Sequence, residues 1–206
     1  MDVVNFLKDC LFPFFCVSCG REGEWWCKDC RKEIKLFEVK GTSFQKATAL
    51  FSYSDNPPLE KLIREFKYNY VQNISDLWKE ILSEARLVFS SDIVFVPVPL
   101  HEKRLRARGF NQAEILSRIL SDIYHRPQIG NNLCRTKATL QQAGMTREER
   151  LKNILGAFAW VGDLKAPKHV VLVDDVFTTG ATMEECAKVL RHHGAEHIEA
   201  LVLAHG

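Results

Sequence analysis

Two adjacent aspartates, Asp174 and Asp175, end an apolar run and are followed at once by a turn of small residues. The stretch reads VVLVDDVFTTGAT and contains three threonine hydroxyls and one glycine, Gly180. A segment with helical spacing starts near Ala181, and the first backbone N–H groups of a helix have no acceptor within it. Together with the helix dipole, such groups bind anions, and a glycine lets the backbone approach closely. The stretch therefore predicts an anion site beside two carboxylates.

The carboxylates restrict which anion fits this site. They would repel a bare phosphate, whereas a phosphorylated sugar can donate its vicinal hydroxyls to Asp174 and Asp175 while its phosphate lies on the turn. The acids can also support Mg²⁺, which prefers oxygen ligands. The glycine pattern is neither G-x4-G-K-[ST] nor G-x-G-x-x-G, so the site is not a P-loop or a dinucleotide fingerprint. The pattern indicates a ribose 5-phosphate.

Four clustered cysteines near the N-terminus have the spacing of a metal site. They lie in CVSCGREGEWWCKDC as two C-x-x-C pairs: Cys16, Cys19, Cys27 and Cys30. Each pair directs two thiolates at one centre, and four thiolates suit tetrahedral Zn²⁺. A redox pair or chance clustering are the alternatives. We interpret the three remaining cysteines, Cys10, Cys134 and Cys186, as apolar residues.

Several aromatic residues surround the cysteine cluster. They are Phe12, Phe14, Phe15, Trp25 and Trp26. A segment this short cannot build its own core, so the metal would replace one. We expect the aromatic residues to pack against the next domain, and the alternative is a stacking platform for nucleic-acid bases.

The overall composition is that of a globular protein with no global electrostatic preference. The chain has 206 residues, 46% of them hydrophobic, and a net charge of +2. No segment approaches the roughly 20 apolar residues that cross a bilayer, and the apolar start has no A-x-A cleavage site. We therefore expect a cytoplasmic protein without a membrane span, in which reduced cysteines hold a metal.

The elements that must position these residues alternate between strand and helix. Strands are predicted at KATALFSY, DIVFVPVP, HVVLVDD and HIEALVLAH, and helices at LEKLIREFKY, NISDLWKEILSEARLVF, NQAEILSRILSDIY and ATMEECAKVLRHHG. Ser75 is a plausible N-cap of the second helix. This alternation predicts an α/β fold with a parallel sheet flanked by helices. We divide the chain into a zinc module, residues 1–42, and a main domain, residues 43–206, with 37–42 as the connection.

Ligands of such sheets bind at the carboxyl ends of the strands. The basic segment VPVPLHEKRLRARGF follows one predicted strand, and its cations could meet a pyrophosphate or a DNA phosphate. We select Lys67, Lys103, Arg106 and Arg108 for this role and interpret Arg104 as a solvated charge. His101, Tyr68 and Tyr70 are secondary candidates. A mobile loop and a short helix are expected where Lys137, Gln141, Gln142, Arg147, Arg150 and Asn153 occur.

These motifs, in this order, resemble the ComF (ComFC) family. The stretch at 170–182 resembles the ribose-phosphate signature of type I phosphoribosyltransferases, which bind phosphoribosyl pyrophosphate (PRPP). The cysteine cluster and the segments VPVPL…K.R.RGFNQA and T..Q…M.REER..N..GAF resemble the other family motifs in order. Val17 departs from the pattern, since a proline is frequent there. The resemblance implies a type I phosphoribosyltransferase-like fold with an N-terminal four-cysteine zinc module.

The resemblance also implies functional residues and partners. The PRPP site would comprise Asp174, Asp175, Val176, Phe177, Thr178, Thr179, Gly180, Ala181 and Thr182, with the two aspartates as catalytic residues. Structural Zn²⁺ and PRPP-bound Mg²⁺ would be the cofactors. Family members are associated with DNA uptake in natural transformation, which implies single-stranded DNA and a helicase-like uptake protein as partners.

Three functions remain open from the sequence. The protein could handle single-stranded DNA while keeping a PRPP site, or it could be an active phosphoribosyltransferase that releases pyrophosphate to an unknown acceptor. The third alternative is a regulator that senses PRPP without turnover.

Overall fold

The computed structural model describes residues 13–31, 33–68, 72–137 and 153–206. The strands are β1 (Phe37–Val39), β2 (Lys46–Ser52), β3 (Val94–Pro97), β4 (Leu133–Arg135), β5 (Phe158–Trp160), β6 (His169–Phe177) and β7 (His197–His205). The helices are α1 (Pro58–Tyr68), α2 (Gln72–Glu84), α3 (Glu102–Arg108), α4 (Gln112–Tyr124) and α5 (Ala181–His192). The predicted alternation of strands and helices is therefore confirmed.

The central sheet has the strand order β1-β2-β7-β6-β3. The strands from β2 to β3 are parallel, as the sequence predicted. The edge strand β1 is antiparallel to β2 and lies in the segment that we expected to be only a connection. The sheet is therefore mixed, and the proposed domain boundary at residue 42 stays a prediction.

Both faces of the sheet are covered, which explains the nearly continuous apolar runs of β6 and β7. Val170 and Leu172 of β6 face a core built with α5 and β5. Val171 and Val173 face the opposite core, which includes α1, α2 and α4. Asp174 and Asp175 lie near the end of β6, the second of them two residues before its last residue, Phe177, so the acids emerge between these two cores.

Local sequence explains where some helices begin, and one N-cap expectation is wrong. Asn111 caps α4, and its side chain accepts a hydrogen bond from the backbone N–H of Ala113 at 3.1 Å. By contrast, α2 begins at Gln72, so Ser75 lies inside the helix and its buried hydroxyl has no partner among the described residues. The helix begins before the expected start because Ile74 and Trp78, which lie at helical spacing, are buried against the core.

Helix α3 and the strands β4 and β5 were also not predicted. Helix α3 occupies the basic segment after β3, with His101 as its N-cap and Gly109 in the left-handed conformation at its C-cap. The strands β4 and β5 form a separate antiparallel pair. The expected loop residues Gln141, Gln142, Arg147 and Arg150 lie outside the described residues. No helix in the described ranges has the length and apolarity to cross a membrane.

The cysteine module lies against α2 and β2 through aromatic packing and ion pairs. Trp26 is buried and its ring lies 5.3 Å from that of Phe51, which confirms the expected packing role for this residue. Arg31 forms ion pairs of 3.1 and 2.6 Å with Glu80 and Glu84, and its side chain is only 6% exposed. Lys28 reaches the same two acids but is 72% exposed.

The two cations allow a matched test of how the module is held. We expect Arg31→Ala to lower the free energy of unfolding by about 1–2 kcal/mol, because it leaves two neighbouring carboxylates without their buried partner. Lys28→Ala should cost less than about 0.5 kcal/mol, because solvent already screens its ion pairs. Urea unfolding followed by circular dichroism measures both, and equal losses would contradict the assignment.

Candidate functional site

An open cleft of about 600 Å³ lies at the carboxyl ends of the parallel strands. Its walls come from the ends of β2, β3 and β6 and from α1, α3 and the start of α5. The lining residues include Tyr53, Glu60, Lys67, Tyr68, Arg104, Arg108, Arg135, Asp174, Asp175 and the turn 176–183. The cleft therefore contains the aspartate pair, the complete small-residue turn and several basic side chains.

The aspartate pair lies at the floor of the cleft, with a different environment for each carboxylate. Asp175 is 7% exposed and pairs with Lys67 of α1, with 2.8 Å between Nζ and Oδ2. Burial raises the pKa of Asp174 to about 7, and the neighbouring Asp175 adds to this rise. A hydrogen bond from the backbone N–H of Asp175 and the charges of Lys67 and Arg135 oppose it. The unliganded cleft therefore holds one carboxyl group that is close to protonation at neutral pH.

The turn after the aspartates has the conformation that the sequence predicted. Gly180 has φ 75°, in the left-handed region that favours glycine, and it is the N-cap of α5; the Thr179 hydroxyl accepts a hydrogen bond of 3.4 Å from the backbone N–H of Ala181. A Cβ at this position would lie 2.7 Å from the Phe177 ring. Glycine is thus required both by the backbone angle and by the ring packed beneath it, and the first turn of α5 faces the cleft.

The segment that follows β1 buttresses the turn and its helix. Glu184 of α5 accepts hydrogen bonds from the backbone N–H and hydroxyl of Thr42, at 2.7 and 2.8 Å, and from the N–H of Ser43 at 2.8 Å. The Phe44 ring lies edge-on to Phe177, with 6.4 Å between centroids. The turn is therefore held by contacts before and after Gly180 in the sequence, at Phe177 and at Glu184.

The basic side chains of α3 point in two directions, into the cleft and out to solvent. Arg104 and Arg108, four residues apart, line the cleft. Lys103 and Arg106 are exposed and do not line it, and Arg106 pairs with Glu102 at 2.5 Å. The structure thus brings Lys67 and Arg108 to the aspartates' cleft, together with Arg104, which we had interpreted as a solvated charge.

Arg135 of β4 is a cleft residue that the sequence analysis missed. Burial lowers its pKa, and the charge of Arg104 lowers it further. The pKa of Arg104 is itself lowered by burial and by Arg108. These mutual effects mean that three guanidinium groups are gathered at one wall, where an anion would relieve their repulsion. Arg135 is the first residue of the polar segment RTKATLQQAGMTREERLKNILGAF, and no spacing within that segment distinguishes it from the other basic residues.

The four cysteines meet at one point. Their sulfurs all lie within 4.8 Å of one another, and both Cys16–Cys27 and Cys19–Cys27 are 3.7 Å apart. Tetrahedral zinc with Zn–S bonds of about 2.3 Å requires sulfurs about 3.8 Å apart. Burial opposes ionisation of Cys16, but backbone N–H donors from Cys27, Cys19 and Ser18 outweigh it and lower its pKa to about 6. The donor set fits zinc.

The secondary candidates fall in different places. His101 accepts a hydrogen bond from the backbone N–H of Lys103 through Nδ1 at 3.2 Å, which gives it a role as a helix cap. Tyr68 lines the cleft, and Tyr70 lies outside the described residues.

Comparisons with known proteins agree with this geometry. The family described as "Phosphoribosyl transferase domain" matches residues 108–206. "Competence protein F" of Haemophilus influenzae is 32% identical, over 94% of this chain and 85% of that protein. "DNA utilization protein YhgH" of Escherichia coli K12 is 31% identical, over 80% and 74%. "Competence protein ComFC" of Streptococcus pneumoniae is 29% identical, over 86% and 74%.

The first of these relatives is similar over nearly all of both chains, and the matched domain contains the aspartates, the turn and Arg135. The sequence-based expectation of a type I phosphoribosyltransferase-like fold with a four-cysteine cluster is therefore confirmed. The chain belongs to the ComF family of competence and DNA utilization proteins.

Proposed function

We propose that the cleft binds a ribose 5-phosphate carrying a second phosphate group, as in PRPP with Mg²⁺, and that the protein uses this site in DNA uptake. One observation carries the proposal: two carboxylates near the end of a buried strand and the glycine turn that opens a helix lie in one cleft with a group of arginines. Each part matches a different part of the ligand.

The turn suits the 5-phosphate. The first backbone N–H groups of α5 and the hydroxyls of Thr178, Thr179 and Thr182 offer donors around Gly180, where no Cβ blocks the approach. The positive end of the helix dipole favours a dianion at the same point.

Asp174 and Asp175 suit the diol of the ribose. Their carboxylate oxygens accept hydrogen bonds from hydroxyls, and the same oxygens are the donor type that Mg²⁺ takes from proteins. Magnesium bound there would neutralise charge between the acids and the phosphates of the ligand. The raised pKa of Asp174 supports this assignment, because a site built to face hydroxyls or a cation is electrostatically unfavourable when empty.

Arg104 and Arg135 suit the pyrophosphate, and Arg108 adds charge beside them. Guanidinium groups bind phosphate oxygens in a bidentate manner. The lowered pKa values of Arg104 and Arg135 support this role, since repulsion among the cations disappears when an anion lies between them. Pyrophosphate binding by Lys103 and Arg106 stays a prediction, and their exposure suits a more extended anion better.

Single-stranded DNA is the second ligand that we propose. The names of the relatives refer to competence and DNA utilization. The outward cations of α3, Lys103 and Arg106, could follow phosphates beyond the cleft mouth, so binding should weaken as the salt concentration rises. We assign the protein to the cytoplasm because its thiol cluster requires reducing conditions. A helicase-like partner stays a prediction of the family resemblance.

The aspartate assignment predicts a specific loss of PRPP binding. With Mg²⁺ present, calorimetry should detect PRPP binding to the wild type, weakened at least about tenfold in Asp175→Asn, which removes a charge and an acceptor. Asp163→Asn makes the same chemical change at an exposed site outside the cleft and should bind normally. The protein–PRPP mixture recovered after calorimetry would be assayed for pyrophosphate. Released pyrophosphate indicates phosphoribosyl transfer, and intact PRPP indicates binding alone. Equal affinities in the two variants would contradict the assignment.

The raised pKa of Asp174 predicts how stability depends on pH. Its pKa of about 7 lies above the ordinary value of 3.8, so the folded state keeps a proton that the unfolded state has lost, and stability falls as the pH rises from about 4 to about 7. Asp174→Asn should therefore stabilise the unliganded protein at pH 8, by on the order of 2 kcal/mol, and much less at pH 5. Thermal melting at both pH values measures this. If Asp174→Asn raised the melting temperature equally at pH 8 and pH 5, the pKa of Asp174 would not be raised.

The cysteine cluster is proposed as a structural zinc site. Plasma emission spectrometry should find about one zinc per chain in the wild type and almost none in Cys27→Ser, whose ligand is fully buried. Cys134→Ser, a change of the same type outside the cluster, should retain the metal. Retention of zinc by the Cys27 variant would exclude the site.

A further inference from the structure

Tyr68 is a large aromatic side chain left open at the rim of the cleft. It is the last residue of α1, lines the cleft and is 63% exposed. The guanidinium carbon of Arg108 lies 5.3 Å from the centre of its ring. An aromatic ring that contacts a cation, with most of its surface in solvent, has the features of a stacking surface rather than of a core residue.

The contact between Tyr68 and Arg108 is held by a buried amide. Arg108 Nη1 donates to Gln112 Oε1 at 2.5 Å, and Gln112 is only 2% exposed. The Nε2 of Gln112 donates at 3.2 Å to the carbonyl oxygens of Phe66 and Lys67, the two residues before the tyrosine. One side chain thus fixes both the end of α1 and the arginine under the ring, so that the surface is preorganised.

The position of the ring relates it to the two proposed ligands. Lys67, its neighbour in the chain, contacts Asp175 at the floor of the cleft. Helix α3, which supplies Arg108, also carries the outward cations Lys103 and Arg106. The ring therefore lies at the rim of the cleft, in contact with the helix that carries these two outward cations.

We propose that Tyr68, supported by Arg108, is the stacking platform for one unpaired base of single-stranded DNA, whose flanking phosphates follow the outward cations of α3. The inference rests on the single-strand binding proposed above and adds the residue that receives a base. A stacking ring beside a row of cations fits a polyanion with aromatic faces, and base–aromatic stacking contributes about 1–3 kcal/mol per base. The platform places that base at the entrance to the PRPP site.

The experiment separates stacking from charge. Fluorescence anisotropy would compare an oligothymidylate of about 15 nucleotides with an abasic oligomer of the same length, which keeps every phosphate but has no bases. We expect Tyr68→Ala to weaken binding of the oligothymidylate by about 5- to 50-fold and to change binding of the abasic oligomer less than about twofold. Tyr68→Phe, which keeps a stacking ring, should remain within about twofold of the wild type. Because the side chain is exposed, melting temperatures should not change, which excludes unfolding as the cause.

The outcomes distinguish the platform from the function on which it rests. If the wild type prefers the base-bearing strand and Tyr68→Ala keeps that preference, the platform is overturned and single-strand binding stands. Equal weakening of both oligomers would also overturn it, because charge or folding would then explain the loss. If the wild type binds neither oligomer at low salt, both single-strand binding and the Tyr68 platform are overturned. The sugar-phosphate site is tested separately by PRPP calorimetry.

Discussion

The structure depends on one electrostatic constraint, the placement of two adjacent carboxylates at the end of a strand that is buried on both faces. Burial and the neighbouring Asp175 raise the pKa of Asp174, and the charges of Lys67 and Arg135 oppose this rise. Lys67 arrives from α1 and Arg135 from β4, two elements that are far apart in the chain. The elements around the cleft therefore supply the cations that compensate the negative charge of the two aspartates.

The basic side of the cleft follows a different principle. Helix α3 contributes no buried residue and is fixed by its two caps, His101 and Gly109, rather than by a core. Because the core does not require particular side chains there, nearly every position can carry charge. The segment also leads into α4, whose Asn111 and Gln112 are buried polar residues that fix its geometry. A weakly packed basic helix is thus attached to a precisely held one.

Features encoded in consecutive residues could be predicted from the sequence, and features that need tertiary proximity could not. The run from Val170 to Thr182 specifies its strand, acids, turn and helix locally, and the cysteine spacing defines its cluster in the same way. Arg104 and Arg135 both reach the cleft because α3 and β4 meet near His101. The backbone of His101 forms an isolated parallel β-bridge with that of Arg135. Edge strand β1 has three residues, too few for a periodic signal. Ser75 had the chemistry of a cap, but burial of the neighbouring apolar residues decided where α2 begins.

The three hydrogen bonds that Glu184 accepts from Thr42 and Ser43 have a mechanical meaning. The segment that follows β1 is tethered to the first turn of α5, the helix that begins after Gly180. Because these bonds join the segment between β1 and β2 to the first turn of α5, a shift of that helix start would also move the segment. The Glu184 carboxylate is therefore a direct link between the segment that follows β1 and the helix that begins after Gly180.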